Sequence, residues 1–368
     1  MTSKNERPPD AAVSQPAPPG SAPPADERVR KVSGLNRLLA RPEVGAIIGA
    51  ILVWVFFAIV AYDNSFVSWA TTASILNRAA PLGILAVAVA LLMIGGEFDL
   101  SIGSIIGFAG MTIMVLITPS SAGGFGWSVW PAILVALVFA LAIGFFNGSL
   151  VIATKLPSFI ITLATLFIFR GLTIAITRQL TDRTQLGDFD EASGAALADR
   201  IFASDFTVFG ASFRVSILWW IGMAALATWI LLRTKWGNWI FGAGGDANSA
   251  RNVGVPVSRV KIGLFMTTAF AAFLYATIQA VQFNGSDTLR GFGIEFQAII
   301  AVVVGGTLLT GGYGSAIGAS FGALIFAMVQ QGIIITGVDG DWFQVFMGGI
   351  LVIAVIFNNF IRQQAAKR

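Results

Sequence analysis

The polar residues set inside apolar sequence are where any chemistry has to be sought. Glu97 and Asp99 follow the pair Gly95-Gly96 between two apolar segments, with Ser101 just beyond. A carboxylate near mid-bilayer costs about 2.5–3.5 kcal/mol on insertion scales, so it must be enclosed in protein, paired or hydrated. Two readings fit: a coupling carboxylate that takes up a proton or sodium, or a hairpin gate near the cytoplasmic face. In the second, Asp99 caps the helix that begins at Leu100-Ser101-Ile102-Gly103. The hairpin is the simpler reading, because no second clear carboxylate lies in another span to form a relay. For Arg170, in the middle of an apolar run, the expected readings are snorkelling or pairing with an acidic group, with substrate contact as the lesser alternative. Asn147, Thr162, Thr165, Gln297 and Asn358, with Gln279, Gln282, Gln330 and Gln331, are neutral polar residues in or at the ends of apolar runs. Hydrogen bonding between helices accounts for each of them singly. Together they are candidates to line a wet path for a neutral, hydroxyl-rich solute, with Phe296 and Phe283 able to stack on a ring. With no Cys and no His, thiol chemistry, imidazole base catalysis, zinc sites built on those ligands and haem ligation through His are excluded. No catalytic residue, metal or cofactor is expected.

The elements that position these residues are apolar. Hydrophobic residues make up 56% and charged residues 11% of the 368, and the mean hydropathy is +0.79. A soluble domain carries roughly 25% charged residues, so an all-α polytopic membrane protein embedded in the lipid bilayer is expected. The net charge of +4 does not imply nucleic acid, because the basic residues sit beside apolar runs and form no continuous patch. Residues 1–41, rich in Pro, Ala, Ser and charge, read as a disordered cytoplasmic tail, and residues 362–368 as a short cytoplasmic tail. Between them, within 42–361, lie ten hydrophobic segments, the shorter ones broken or re-entrant: Val44–Tyr62, Pro81–Ile94, Leu100–Ile117, Val129–Ala153, Phe159–Thr177, Val215–Leu232, Ile262–Val281, Phe296–Thr310, Ala316–Thr336 and Asp341–Phe360. Threading them with both termini inside puts sixteen of the 23 Lys and Arg on the cytoplasmic face, as the positive-inside rule requires. Arg178–Arg214 is then the main periplasmic segment. Glycines four apart, such as Gly103/Gly107 and Gly318/Gly322, allow close helix packing. A weak internal repeat pairs Gly95-Gly96 and Ile102-Gly103 with Gly311-Gly312 and Ile317-Gly318, as in transporters built from repeats.

One polar island interrupts the apolar sequence, Trp236 to Lys261. Within it Asp246–Asn252 is expected to form a short helix, with Gly244-Gly245 ahead, Asp246 as N-cap and Gly254 ending it. A short capped helix on the cytoplasmic face is a shape that another protein can grip; an ordinary connector is the simpler alternative.

Four blocks, in order, give the chain a family resemblance. Gly95-Gly96-Glu97-Phe98-Asp99-Leu100-Ser101-Ile102-Gly103-Ser104 resembles the GG-x-DLS-x-GS segment of the permease subunits of bacterial ABC sugar importers, the ribose, xylose and inositol group. Asn147-Gly148, Leu156-Pro157-Ser158-Phe159-Ile160 with Thr162-Leu163-Ala164-Thr165, and Arg170-Gly171 resemble its NG…LP-x-FI-x-TL-x-T…RG block. Gly244-Gly245-Asp246 through Ala250-Arg251 to Gly254-Val255 resembles its cytoplasmic GGN-x-x-AA-x-x-(S/A)GI segment. Val304-Gly305-Gly306-Thr307 through Gly311-Gly312 to Gly314-Ser315 resembles its VGGTSL-GG-x-GS block. The resemblance covers about residues 44–360. It implies an inner-membrane subunit that forms the translocation path for a monosaccharide or polyol. It also implies three partners: a separate ATP-binding subunit, a periplasmic solute-binding protein and a second permease subunit. Gly244, Gly245, Asp246, Ala250, Arg251, Gly254 and Val255 would then form the coupling segment to the ATPase. The chain contains no GxxxxGK[ST] sequence, so the resemblance leaves nucleotide hydrolysis to another polypeptide. Asp246 stands where the family usually has Asn, and Asn252 where an apolar residue is common. The rival readings are a branched-chain amino-acid ABC permease and an ion-coupled secondary transporter.

Overall fold

The computed structural model describes residues 42–61 and 66–366, with side chains from 43 to 356. The expected N-terminal tail, the C-terminal side chains and Asn358 therefore lie outside the described side chains. All ten expected apolar segments are helical. In chain order they are α1 (Pro42–Val60), α2 (Trp69–Ile94), α3 (Ile102–Ile117), α4 (Val129–Thr154) and α5 (Ser158–Thr181). After an insertion come α7 (Ser216–Arg233), α10 (Val257–Gln282), α11 (Ile294–Val304), α12 (Ala316–Ile335) and α13 (Trp342–Ala366). Seven are long and apolar enough to cross a bilayer, and α3, α11 and the described part of α13 are shorter apolar helices. This is an all-α multi-pass membrane protein.

Burial divides the helices into two sets. In α2 and α10, 83% and 78% of the most apolar stretch is buried, against 17% in α1 and 28% in both α5 and α7. The central pair is rich in small residues, as in Ala86-Val87-Ala88-Val89-Ala90, which are almost fully enclosed. Small side chains let neighbouring backbones approach where no water needs to be expelled. The outer helices turn large apolar side chains such as Ile59, Phe167 and Trp229 outward.

Several boundaries differ from expectation. The second span begins at Trp69 and not at Pro81, because Ser68 accepts from the Thr71 N–H at 3.1 Å and starts the helix three turns earlier. Pro81 is tolerated inside it, at the loss of one backbone donor, and Arg78 becomes a helical residue. The fifth span runs to Thr181. Thr173 and Thr181 each donate to the carbonyl four residues back, of Phe169 at 2.7 Å and Thr177 at 2.8 Å, so these hydroxyls need no water. The span expected at Phe296–Thr310 is α11, only eleven residues and about 16 Å long. It ends at Val304 because Gly305 and Gly306 close it.

That closure corrects the internal repeat. The N–H groups of Gly95, Gly96 and Glu97 bond the carbonyls of Leu91, Met93 and Leu92, and those of Gly305, Gly306 and Thr307 bond Ala301, Val303 and Val302 in the same pattern. Gly96 and Gly306 both take positive φ, +82° and +88°, the left-handed helix end that glycine permits. The counterpart of Gly95-Gly96 is thus Gly305-Gly306. Gly311-Gly312 belongs to a longer connector that the first unit lacks.

The insertion after α5 is ordered. It comprises β1 (Gln185–Gly187), α6 (Ala195–Phe202), and the hairpin β2 (Asp205–Val208) and β3 (Ala211–Arg214). Phe209 and Gly210, both at positive φ, make its two-residue turn. Phe209 stacks on Trp69 at 4.6 Å. Asn77 of α2 clamps the hairpin by donating to the Ser212 carbonyl at 3.0 Å and accepting from the Arg214 N–H at 2.8 Å. β1 pairs antiparallel with β4 (Gly285–Asp287), which follows α10.

Candidate functional site

The polar island folds into two helices, α8 (Lys235–Gly245) and α9 (Ala247–Asn252). α9 has the expected boundaries. Asp246 Oδ1 accepts the N–H groups of Asn248 at 2.9 Å and Ser249 at 3.1 Å, and Oδ2 accepts the Ser249 hydroxyl at 2.7 Å. These bonds, those from Ser249 first, hold the Asp246 carboxyl below the usual carboxylate range. The cap is therefore charged at neutral pH and weakens only in acid, as pH falls through that lowered value. Arg251 donates to Asn248 Oδ1 at 3.0 Å. Gly254, at φ +86°, turns the chain out of the helix, and Val255 N–H closes on the Ala250 carbonyl. Ala250 is the buried anchor, while Val253 stands 80% exposed beside the exposed Arg251 and Asn252. An exposed apolar side chain between polar ones, on a rigid capped turn, is a surface suited to a partner.

Three glycine pairs meet behind this turn. The Gly312 N–H donates to the Ile94 carbonyl at 2.8 Å. A Cβ on Gly244 would collide with that same carbonyl and stand 2.8 Å from Gly312 N; one on Gly96 would stand 3.2 Å from Gly244 Cα. One on Gly311 would stand 2.8 Å from both Gly244 O and Gly96 Cα. The end of α8, the break after α2 and the connector between α11 and α12 thus touch backbone to backbone, with no side chain between to absorb a displacement. Lys261, at the start of α10, forms an ion pair with Glu97 of the same break, and both side chains are largely buried.

The break itself is stapled from three sides. Asp99 accepts from the Ser101 N–H at 2.9 Å, the Ser101 hydroxyl at 2.6 Å and the Thr268 hydroxyl of α10 at 2.7 Å. Asn147 of α4 donates to Ser101 Oγ at 2.8 Å. From α5, the Ser158 hydroxyl accepts from Phe98 N–H and the Thr162 hydroxyl from Leu100 N–H, at 3.0 and 3.1 Å. The structure therefore brings Asn147, Thr162, Glu97, Asp99 and Ser101 together, all enclosed. Thr165 is buried one turn further along α5 and donates to the Thr162 carbonyl.

A cavity of about 620 Å³ opens at the other end of the bundle, between α2, α10, α11 and α12. From Ser74 on its wall to the Ile94 carbonyl is about 30 Å of helix. Gln279, Gln282, Gln297 and Gln330 line it, with Arg78 and Arg214 at the hairpin side. Of the path residues read from sequence, Gln279, Gln282, Gln297, Gln330 and the ring Phe283 line it. Phe296 is 55% exposed on another face, and Asn147, Thr162 and Thr165 do not reach it. A second cavity, of about 600 Å³ beside Trp220, Trp229 and Leu232, has a mostly apolar lining that also includes Thr228, Arg233 and Ser320.

One charged group was misjudged. Glu295, expected in a loop, lies in the first turn of α11 at 2% exposure, and its Oε2 has no hydrogen-bond partner among the described residues. A second buried carboxylate therefore does exist. The only hint in sequence was that Gly291-Phe292-Gly293 releases the chain directly into an apolar run. Arg170 lays its guanidinium 4.8 Å over the Phe292 ring, with Nη2 unpartnered among the described residues.

Comparison with known proteins agrees with this architecture. Residues 71–355 match the family described as branched-chain amino acid transport system / permease component. The inner membrane ABC transporter permease protein YjfF of Escherichia coli K12 is 32% identical over 293 residues, 79% of this chain and 84% of that protein. The fructose import permease protein FrcC of Rhizobium meliloti is 28% identical over 329 residues, 89% and 88% of the two chains. The xylose transport system permease protein XylH of E. coli K12 is 28% identical over 388 aligned positions, 90% and 95%. No solved structure matches. A bundle of ten apolar helices, four sequence blocks in order and coverage of most of each relative lead to one conclusion: this chain belongs to the permease-component family of ABC transport systems and is a multi-pass inner-membrane protein.

Proposed function

We propose that this chain forms the translocation path of an ATP-driven importer for a monosaccharide or polyol, with both termini cytoplasmic. An ATP-binding subunit docks on α9 through Val253 and Arg251. A periplasmic solute-binding protein delivers solute to the end where the glutamine-lined cavity opens, and a second permease subunit completes the path. Nucleotide hydrolysis takes place on the partner, and this chain converts the partner's closure into a change of access.

The observation that carries the reading is the contact of the three glycine pairs. A push on α9 reaches Gly244, and through it the ends of both broken-helix units, within a few ångströms of backbone. Rigid transfer to packed, two-state elements is how small displacements become changes of access. The buried carboxylates Glu97 and Asp99 are fully engaged in holding the break, through Lys261 and through Ser101 and Thr268, which favours a structural role over ion coupling. The glutamine cavity also bears on the amino-acid alternative. No carboxylate lines it to pair with the ammonium group of a zwitterion, which would be left to the uncharged glutamine carbonyls.

The test is Arg251→Glu in the complete importer in proteoliposomes, with its ATPase and binding protein. Transport-linked ATP turnover is expected to be lost while membrane insertion persists; unchanged stimulation would overturn the docking assignment. Accumulation of solute in vesicles containing this polypeptide alone would overturn the ATP-driven reading altogether.

A further inference from the structure

Resting on the importer reading, we infer that the transported solute is an anionic, hydroxyl-rich molecule, a sugar bearing a carboxylate or a phosphate. The inference comes from what the 620 Å³ cavity offers and what it lacks. Four glutamines, Gln279, Gln282, Gln297 and Gln330, supply amide donors and acceptors for hydroxyl groups. Gln282 Oε1 is buried without a hydrogen-bond partner among the described residues; a buried acceptor in that state is costly until a donor reaches it. No Asp or Glu lines the cavity, whereas two arginines do, Arg78 and Arg214.

The charge of these arginines is nearly uncompensated. Arg78 forms no ion pair with any described residue. Arg214 has Asp205 at 3.9 Å, but those side chains are 36% and 55% exposed, and so open a pair is weak. A third guanidinium stands just behind: Arg290 donates to Gln279 Oε1 at 3.3 Å while paired with Asp287 at 2.9 Å. A neutral sugar would offer the two lining guanidinium groups only hydroxyl and ring oxygens and leave their charge unpaired. A carboxylate or phosphate would take two charge-assisted, fork-shaped partners at the arginine side, with the glutamines reading the rest of the molecule.

The experiment uses the complete importer in proteoliposomes and compares labelled pairs: xylose with xylonate, galactose with galacturonate, and glucose with glucose 6-phosphate, with leucine as a further arm. Uptake of an acid or phosphate at least tenfold above its neutral parent is expected, and which of the two identifies the anionic group. Arg78→Gln should lower that uptake about tenfold, the loss of one charge-assisted contact, and Arg78→Lys should restore part of it. Preferential uptake of a neutral sugar would overturn this inference and leave the importer reading standing. So would uptake of the anion unchanged in Arg78→Gln. If Arg78→Gln weakened only the binding protein's affinity for the complex, Arg78 would be a docking residue, and the inference would again be overturned. Uptake of leucine alone would overturn both.

Discussion

The adjacent glycines Gly244 and Gly245 allow the coupling argument to be tested with one methyl group. A Cβ on Gly244 would overlap the Ile94 carbonyl oxygen and crowd the Gly312 nitrogen at 2.8 Å, both backbone atoms that no rotamer change can move. The methyl must therefore displace the Gly312–Ile94 hydrogen bond, now 2.8 Å long. Leaving a buried donor and acceptor unpaired costs about 1–3 kcal/mol, and overpacking adds about 1–3 kcal/mol. The sum, on the order of 2–6 kcal/mol, is enough to open the junction and is for the most part smaller than the roughly 5–15 kcal/mol that stabilises a typical domain. A Cβ on Gly245 meets nothing within 4 Å. Alanine there should be silent or slightly stabilising, because it is the better helix former by about 1 kcal/mol. The assay is solute imported per ATP hydrolysed in proteoliposomes with the partner proteins, alongside thermal unfolding of the purified permease. Gly244→Ala is expected to keep ATP turnover but lose most import, and Gly245→Ala to match the parent protein. Equal behaviour of the two variants, or full import in Gly244→Ala, would refute the idea that the glycine contact transmits motion.

Two further outcomes follow from the packing. Lys261→Met strands the Glu97 carboxylate in a largely buried position, which should cost about 3–5 kcal/mol; the double variant Glu97→Gln/Lys261→Met should recover most of the lost thermal stability, and failure to recover would mean that the lysine acts in some other way. Asn77→Ala removes both hydrogen bonds that clamp the β2–β3 hairpin to α2, about 1–3 kcal/mol together. Amide exchange across residues 205–214 should then accelerate tenfold or more while exchange in α2 beyond Pro81 stays as it was.

The sequence by itself determined the class of the molecule. Lipid and water sort side chains so strongly that ten apolar runs could be counted. The α9 turn was legible because a cap is a local device: Asp246, Ser249 and Gly254 lie within nine positions, and their chemistry requires no knowledge of the rest of the fold. Non-local contacts decided the remainder. Nothing in the order of residues says that Gly96, Gly244 and Gly311 touch, or that Lys261 neutralises Glu97 across 164 positions. Asn147 and Thr162 read equally well as path or staple, since an amide or hydroxyl in a span must bond to something, and only packing chose the break as its partner. The second repeat was misaligned for the same reason: two Gly-Gly pairs look alike in sequence, and only the hydrogen bonds closing α2 and α11 distinguish a helix end from a connector. A bilayer fixes which residues leave water, but the close approach of backbones, set by where side chains are missing, fixes which of them meet.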